Sequence, residues 1–243
     1  MRLQYLMLLA LPLSGADPHK SALELFQTSD RCFACHNGMS TPAGEDISIG
    51  LSWRPTMMAN SSRDPYWQAS VRRESIEHPE SKKVIEDECS VCHMPMARTV
   101  SKAMGREGEV FAHLPFEPDK PMSRLAQDGV SCSLCHQIAP DKLGTPESYV
   151  GGYVIDTTKP RGQRVEYGPY KIEKGQNRIM RSSTAGYVPE EGKHFRQSEM
   201  CATCHTLYTK ALGANGQVVG ELPEQMPYLE WQESQYKDTK SCQ

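Results

Sequence analysis

The chain has 243 residues, room for one or two domains. Hydrophobic residues make up 38 % and aromatics 7 %, which excludes a large conventional apolar core. The formal charge is −3, and no basic tract or aromatic–basic interleaving is present, so nucleic acid is excluded as a partner and soluble proteins with basic docking faces are favoured.

The N-terminus reads as an export signal. Arg2 is the charged start, residues 3–13 are mostly apolar, and Ser14-Gly15-Ala16 carries small residues at cleavage spacing. Eleven residues are too few to span a bilayer, and no cysteine follows to take a lipid anchor. An uncleaved anchor or a buried helix is the competing reading. The expected organisation is therefore a leader over residues 1–16 and one mature domain over 17–243, with no membrane span after cleavage.

Residues 17–31 read as a helix with Leu23, Leu25 and Phe26 on its apolar side. Residues 37–62 read as loop, broken by Gly38, Pro42, Gly44, Gly50 and Pro55. Asp64 and Pro65 then start a helix, as N-cap and first helical residue, that should run to Glu77 and stop at Pro79. Ser81 can cap a helix over 82–88, and a short helix over 122–127 should end at Gly129. Residues 149–155 and Gly168-Pro169-Tyr170 suggest extended segments and turns, and 190–192 a loop. Ser198 should begin another helix. Asn215-Gly216, between Leu207-Tyr208-Thr209 and Val218-Val219, signals a small hairpin. Residues 224–236 read as a helix carrying Tyr228, Leu229 and Trp231 inward. The fold class is mainly α with much irregular structure.

Four boxes punctuate these elements: Cys32-Phe33-Ala34-Cys35-His36, Cys89-Ser90-Val91-Cys92-His93, Cys132-Ser133-Leu134-Cys135-His136 and Cys201-Ala202-Thr203-Cys204-His205. Each is C-x-x-C-H, the attachment signature of c-type haem. Two thiols about one helical turn apart can each add to a vinyl group on one porphyrin edge, and the histidine can reach the iron as axial ligand. Zinc ribbons and a disulfide framework are the competing readings. Neither requires a histidine after every second cysteine. Histidine is 8 of 243 residues, so four chance placements are on the order of one in a million. The boxes start 57, 43 and 69 residues apart, too unevenly for a solenoid, so the ligation unit repeats and the fold unit does not. Four haems would bury large apolar plates, at about 25 cal/mol per Å², and are expected to be the core that the peptide wraps. The apoprotein should then be largely unfolded.

Ser241-Cys242-Gln243 looks like the start of a fifth box, with Cys242 as its first thiol; a stray free thiol is the alternative. Four histidines lie outside the boxes: His19, His78, His113 and His194. Four spare imidazoles for four irons fit bis-histidine ligation, which suits electron transfer. Each also has a plain reading as a surface residue. Methionine is the rival ligand, with Met57, Met58, Met94 and Met96 nearest the first two boxes, although methionine more often fills gaps. Tyr66, Trp67, Tyr149, Tyr153, Trp231 and Tyr236 are expected to pack on haem.

The boxes and the text around them resemble the exported multihaem c-type cytochromes that include hydroxylamine oxidoreductase and its tetrahaem electron acceptor. The stretches are Met57-Met58-Ala59-Asn60, Arg63-Asp64-Pro65-Tyr66-Trp67, Glu86-Asp87-Glu88 before box two with Met94-Pro95 after it, and Asp128-Gly129-Val130-Ser131 before box three. His194 with Ser198-Glu199-Met200 and Tyr228-Leu229-Glu230-Trp231 complete them. The resemblance implies haems in close pairs, little regular structure and electron transfer, with His194 and His78 ligating neighbouring haems. Catalytic relatives use a lysine-bearing box or a five-coordinate haem, and no C-x-x-C-K occurs here. The expected function is periplasmic electron transfer with redox proteins as partners. The alternative is a haem oxidoreductase acting on a small nitrogen or sulfur compound at an open iron.

Overall fold

The computed structural model describes residues 18–184 and 186–242. The expected leader, residues 1–16, lies outside them, as does the side chain of His19. The structure is mainly helical, with two small two-stranded sheets and long irregular connections. Among the described residues no helix is long and apolar enough to cross a membrane.

The first expected helix is two. Helix α1 is Pro18–Leu23 and α2 is Ser29–Phe33. Tertiary hydrogen bonds capture the backbone between them. Leu25 O accepts from Gln137 Nε2 at 2.8 Å and Tyr187 Oη at 2.9 Å. Gln27 N donates to Ser133 Oγ, whose hydroxyl donates back to Gln27 O at 2.6 Å. With those carbonyls engaged elsewhere the i→i+4 ladder breaks, yet Leu25 and Phe26 remain buried.

The stretch 37–62 is more ordered than expected. It holds α3 (Ile49–Trp53) and α4 (Met57–Asn60), the latter capped by Thr56 Oγ1 accepting from Ala59 N. Helix α5 is Pro65–Glu77, and Asp64 caps it as expected by accepting from Tyr66 N at 2.9 Å. Helix α6 starts at Lys82 but runs through the second box to His93, five residues past its expected end, and the Ser81 side chain makes no capping bond. Helix α7, Pro95–Ala103, was not expected; Pro95 at its first position was its one sequence signal. Its Met96, Ala97 and Val100 are fully buried.

Helix α8 (Pro121–Gln127) agrees with expectation, and α9 (Cys132–Cys135) is the third box itself. Strand β1 (Val165–Gly168) pairs in parallel with β2 (Val188–Glu191), and α10 (Lys174–Ser183) makes the crossover. This corrects the loop expected at 190–192, of which Gly192 alone lies outside the strand, and adds a parallel pair to the one hairpin expected. Helix α11 (Glu199–Ala202) follows Ser198 as expected. The expected hairpin forms from β3 (Leu207–Leu212) and β4 (Val218–Gln225), with Gly216 at φ +73° in its turn. Helix α12 is only Pro227–Gln232, because Glu224 and Gln225 belong to β4 and the segment after Gln232 turns back, where Trp231 Nε1 donates to Lys240 O. Of the three residues expected to point inward, Tyr228 is buried while Leu229 and Trp231 are half-buried.

An apolar core joins α1, α5, α7 and α8 and the connections after α1 and α6 through Ala22, Leu25, Phe26, Trp67, Val71, Met94, Met96, Val100 and Leu125. A second cluster, Ile138, Phe195 and Met200, sits between boxes three and four. The peptide thus makes a modest core of its own, where the composition suggested that haems would supply it.

Candidate haem sites

All four boxes adopt one local form. Helix α6 carries box two within its ordinary ladder. In the other three the histidine N–H donates to the carbonyl of the first cysteine: His36 to Cys32 at 3.0 Å, His136 to Cys132 at 2.9 Å and His205 to Cys201 at 3.0 Å. Each box is therefore a single helical turn, the spacing that brings two thiols to one edge of a plate.

Two box histidines are held as metal-ligating imidazoles usually are, with Nδ1 bonded to a backbone carbonyl and Nε2 left over. His93 Nδ1 bonds Ser61 O at 2.9 Å, and Ser61 Oγ donates back to His93 O. His136 Nδ1 bonds Tyr167 O at 2.5 Å. Each ring lies against an aromatic face. Trp67 stacks on His93 at 4.3 Å and 4°, and Phe195 on His136 at 4.8 Å and 19°. Burial holds both imidazoles below their ordinary pKa, so they are neutral at pH 7, the form that binds metal. His36 and His205 are exposed, and among the described residues nothing hydrogen-bonds their rings.

The boxes meet through sulfur. The thiols of Cys32 and Cys132 share a hydrogen bond, which raises Cys32 and lowers Cys132. Cys92 and Cys204 form a second such pair, lowering Cys92 and raising Cys204. Cys135 feels Cys201 and is pushed up to about 12, chiefly by burial. Burial likewise pushes Cys89 up to about 12. In space the boxes therefore run one, three, four, two. Asp128 ties the first junction: it accepts from Ser29 N at 2.8 Å and Ser29 Oγ at 2.7 Å at the start of α2, and from Ser131 Oγ just before α9. At the last junction Gly151 N donates to Thr203 O at 2.6 Å while its Cα packs on Val91. Zinc would need three or four converging ligands. Among the described residues no three His, Cys, Asp or Glu side chains converge in that way.

The remaining candidates fall apart by environment. Met94 and Met96 are fully buried in the apolar core, with Met96 Sδ 3.4 Å from Ser133 Oγ; Met57 and Met58 are exposed. His194 is buried, but its Nε2 is bonded to Ile138 O at 2.9 Å, which leaves only Nδ1. His113 is buried with Glu109, Arg106 and Glu86 as its charged neighbours. His78 caps α5 at the surface, 3.9 Å from Glu80. Tyr66 and Tyr236 are exposed, Tyr149 stands edge-on to Tyr228, and Tyr153 Oη reaches Val91 O in box two. Cys242 is exposed, and its N–H donates to Ser198 Oγ just ahead of box four. Sequence reasoning missed Ser61 and Tyr167, because a backbone carbonyl leaves no residue signal. It also missed Phe195, whose partner His136 lies far away along the chain and leaves no local pattern.

The residues present fit haem c in two respects, the single-turn boxes and the two imidazoles with Nε2 left over. No family model, curated protein or solved structure matches this chain.

Proposed function

We propose that the chain carries four covalently attached c-type haems and is an exported multihaem electron carrier, akin to the group that its boxes resemble. The observation that carries this reading is the pair of held rings, His93 on Ser61 O and His136 on Tyr167 O, each inside a C-x-x-C-H turn. Cys32, Cys35, Cys89, Cys92, Cys132, Cys135, Cys201 and Cys204 would form the thioethers. His36, His93, His136 and His205 would be the axial ligands. When bound, each haem supplies a one-electron Fe(III)/Fe(II) couple. The chain's own work is positional. Ser61 and Tyr167 fix ring orientation, Trp67 and Phe195 exclude water from one ring face, and the Asp128 and Gly151 clasps keep neighbouring boxes close enough for electron exchange.

A pyridine haemochrome assay of the exported protein tests this by counting covalent haems, with four expected. A colourless, folded product would end the reading. One observation favours the second reading, an oxidoreductase with an open iron: His194 Nε2 is engaged by Ile138 O, so that imidazole can reach an iron only through Nδ1. Carbon monoxide binding with a high-spin signal would favour that reading, and its absence would favour the carrier.

A further inference from the structure

The charge of this chain is unevenly placed. Residues 159–196 hold nine Lys or Arg against four Glu, a balance of +5, whereas the rest of the chain carries −8. The basic segment contains α10, among the described residues the one long helix with no buried residue. Lys171, Lys174, Arg178 and Arg181 are all exposed there. Among the described residues none of them has an acidic partner. Two large apolar side chains stand open beside them, Ile179 at 63 % and Tyr170 at 70 % exposure. Exposed aromatic and aliphatic groups ringed by one sign of charge are the composition of a protein docking site.

This face also lies over a candidate haem ligand. Helix α10 hangs between β1 and β2, and β1 supplies the Tyr167 carbonyl that holds His136. On the other side Arg196 donates to Pro169 O at 2.8 Å and lies over the Tyr170 ring at 5.3 Å. Its chain neighbour Phe195 is buried and stacks on His136. The basic surface and the ring against the box-three imidazole therefore belong to adjacent residues.

We propose that the α10 face is the docking surface for a one-electron redox protein whose own face is acidic, and that electrons enter or leave the chain there through box three. The proposal rests on the haem reading above. In the forward direction a ferrous haem loses one electron and becomes ferric, and the partner gains that electron; no bond or proton need change.

The test uses two inorganic oxidants of opposite charge on the reduced holoprotein: hexacyanoferrate(III) and hexaamminecobalt(III). The variant K174E/R178E/R181E reverses the face without touching a buried residue. At low ionic strength it should slow oxidation by hexacyanoferrate about tenfold and speed oxidation by the cobalt complex. Roughly 0.5 M salt should erase both effects. A control, R73E/K83E/K120E, changes the net charge equally on α5, α6 and the start of α8. It should move the rates less than about twofold. Equal effects from the two triples, or none from the first, would overturn the docking face while four haems still counted by pyridine haemochrome left the carrier reading intact. A colourless protein would overturn both. Co-sedimentation of the wild type, but not of K174E/R178E/R181E, with phosphatidylglycerol vesicles would reassign the face to a membrane surface.

Discussion

His93 and His136 reach one arrangement from different surroundings. One ring is held by a serine carbonyl 32 residues upstream, the other by a tyrosine carbonyl 31 residues downstream. Near the second sits a carboxyl with unusual properties. Burial first, and the Cys132 sulfur second, push Glu166 from its ordinary 4.5 up to about 8. Thioether formation at Cys132 would remove the second cause and leave the larger one. The folded chain then keeps a proton that the unfolded chain releases between about pH 4.5 and 8, so this group's stabilising contribution is full below 4.5 and lost as pH rises through 8. Glu166→Gln should flatten that dependence and stabilise the protein at pH 8 by on the order of 2–4 kcal/mol. Denaturant unfolding of both proteins at pH 5 and pH 8 reads it; parallel curves would refute it.

At the scale of elements, the connections between boxes carry as much structure as the helices. The stretch that holds α3 and α4 touches two boxes and the approach to a third. Gly50 N reaches His36 O, Ser61 clasps His93, and Trp53 Nε1 donates to Val130 O, ahead of box three. A second clasp is the turn at Val150-Gly151, where both residues have positive φ, 54° and 73°. Val150 N donates to Thr206 O and Gly151 N to Thr203 O, so the turn is pinned to box four. A Cβ on Gly151 would stand 2.4 Å from Val91 Cγ2 in box two. Gly151→Ala should therefore cost about 2–4 kcal/mol, from the left-handed backbone and the overpacking together. A thermal melt within about 2 °C of wild type would show that the clasp yields.

Over the whole molecule the order one, three, four, two makes boxes three and four internal. Replacing Cys132 and Cys135 by serine should lower the haem count by one and break the sequence of neighbours. Replacing Cys32 and Cys35 should lower the count equally and leave the other three adjacent. Flash reduction followed by absorbance would separate them: slow or incomplete electron equilibration only in the box-three variant is expected, and identical kinetics would count against the order.

The sequence alone determined the four box turns, since C-x-x-C-H is a local pattern that one helical turn satisfies wherever it occurs. It also determined elements with strong local signals: Asp64-Pro65 at the start of α5, the short helix before Gly129, and the Asn215-Gly216 hairpin. Only the tertiary structure decided what depends on partners far along the chain. Residues 24–28 lost their helix because Gln137, Tyr187 and Ser133 take their backbone groups, more than 100 residues away. The parallel pair β1–β2 needed residues 165 and 188 side by side, and neither strand alternates enough to announce itself. The order of the boxes and the carbonyls behind His93 and His136 belong to the same class. A main-chain oxygen is identical at every position, so its use is set by where the fold brings it and by nothing the residue names record.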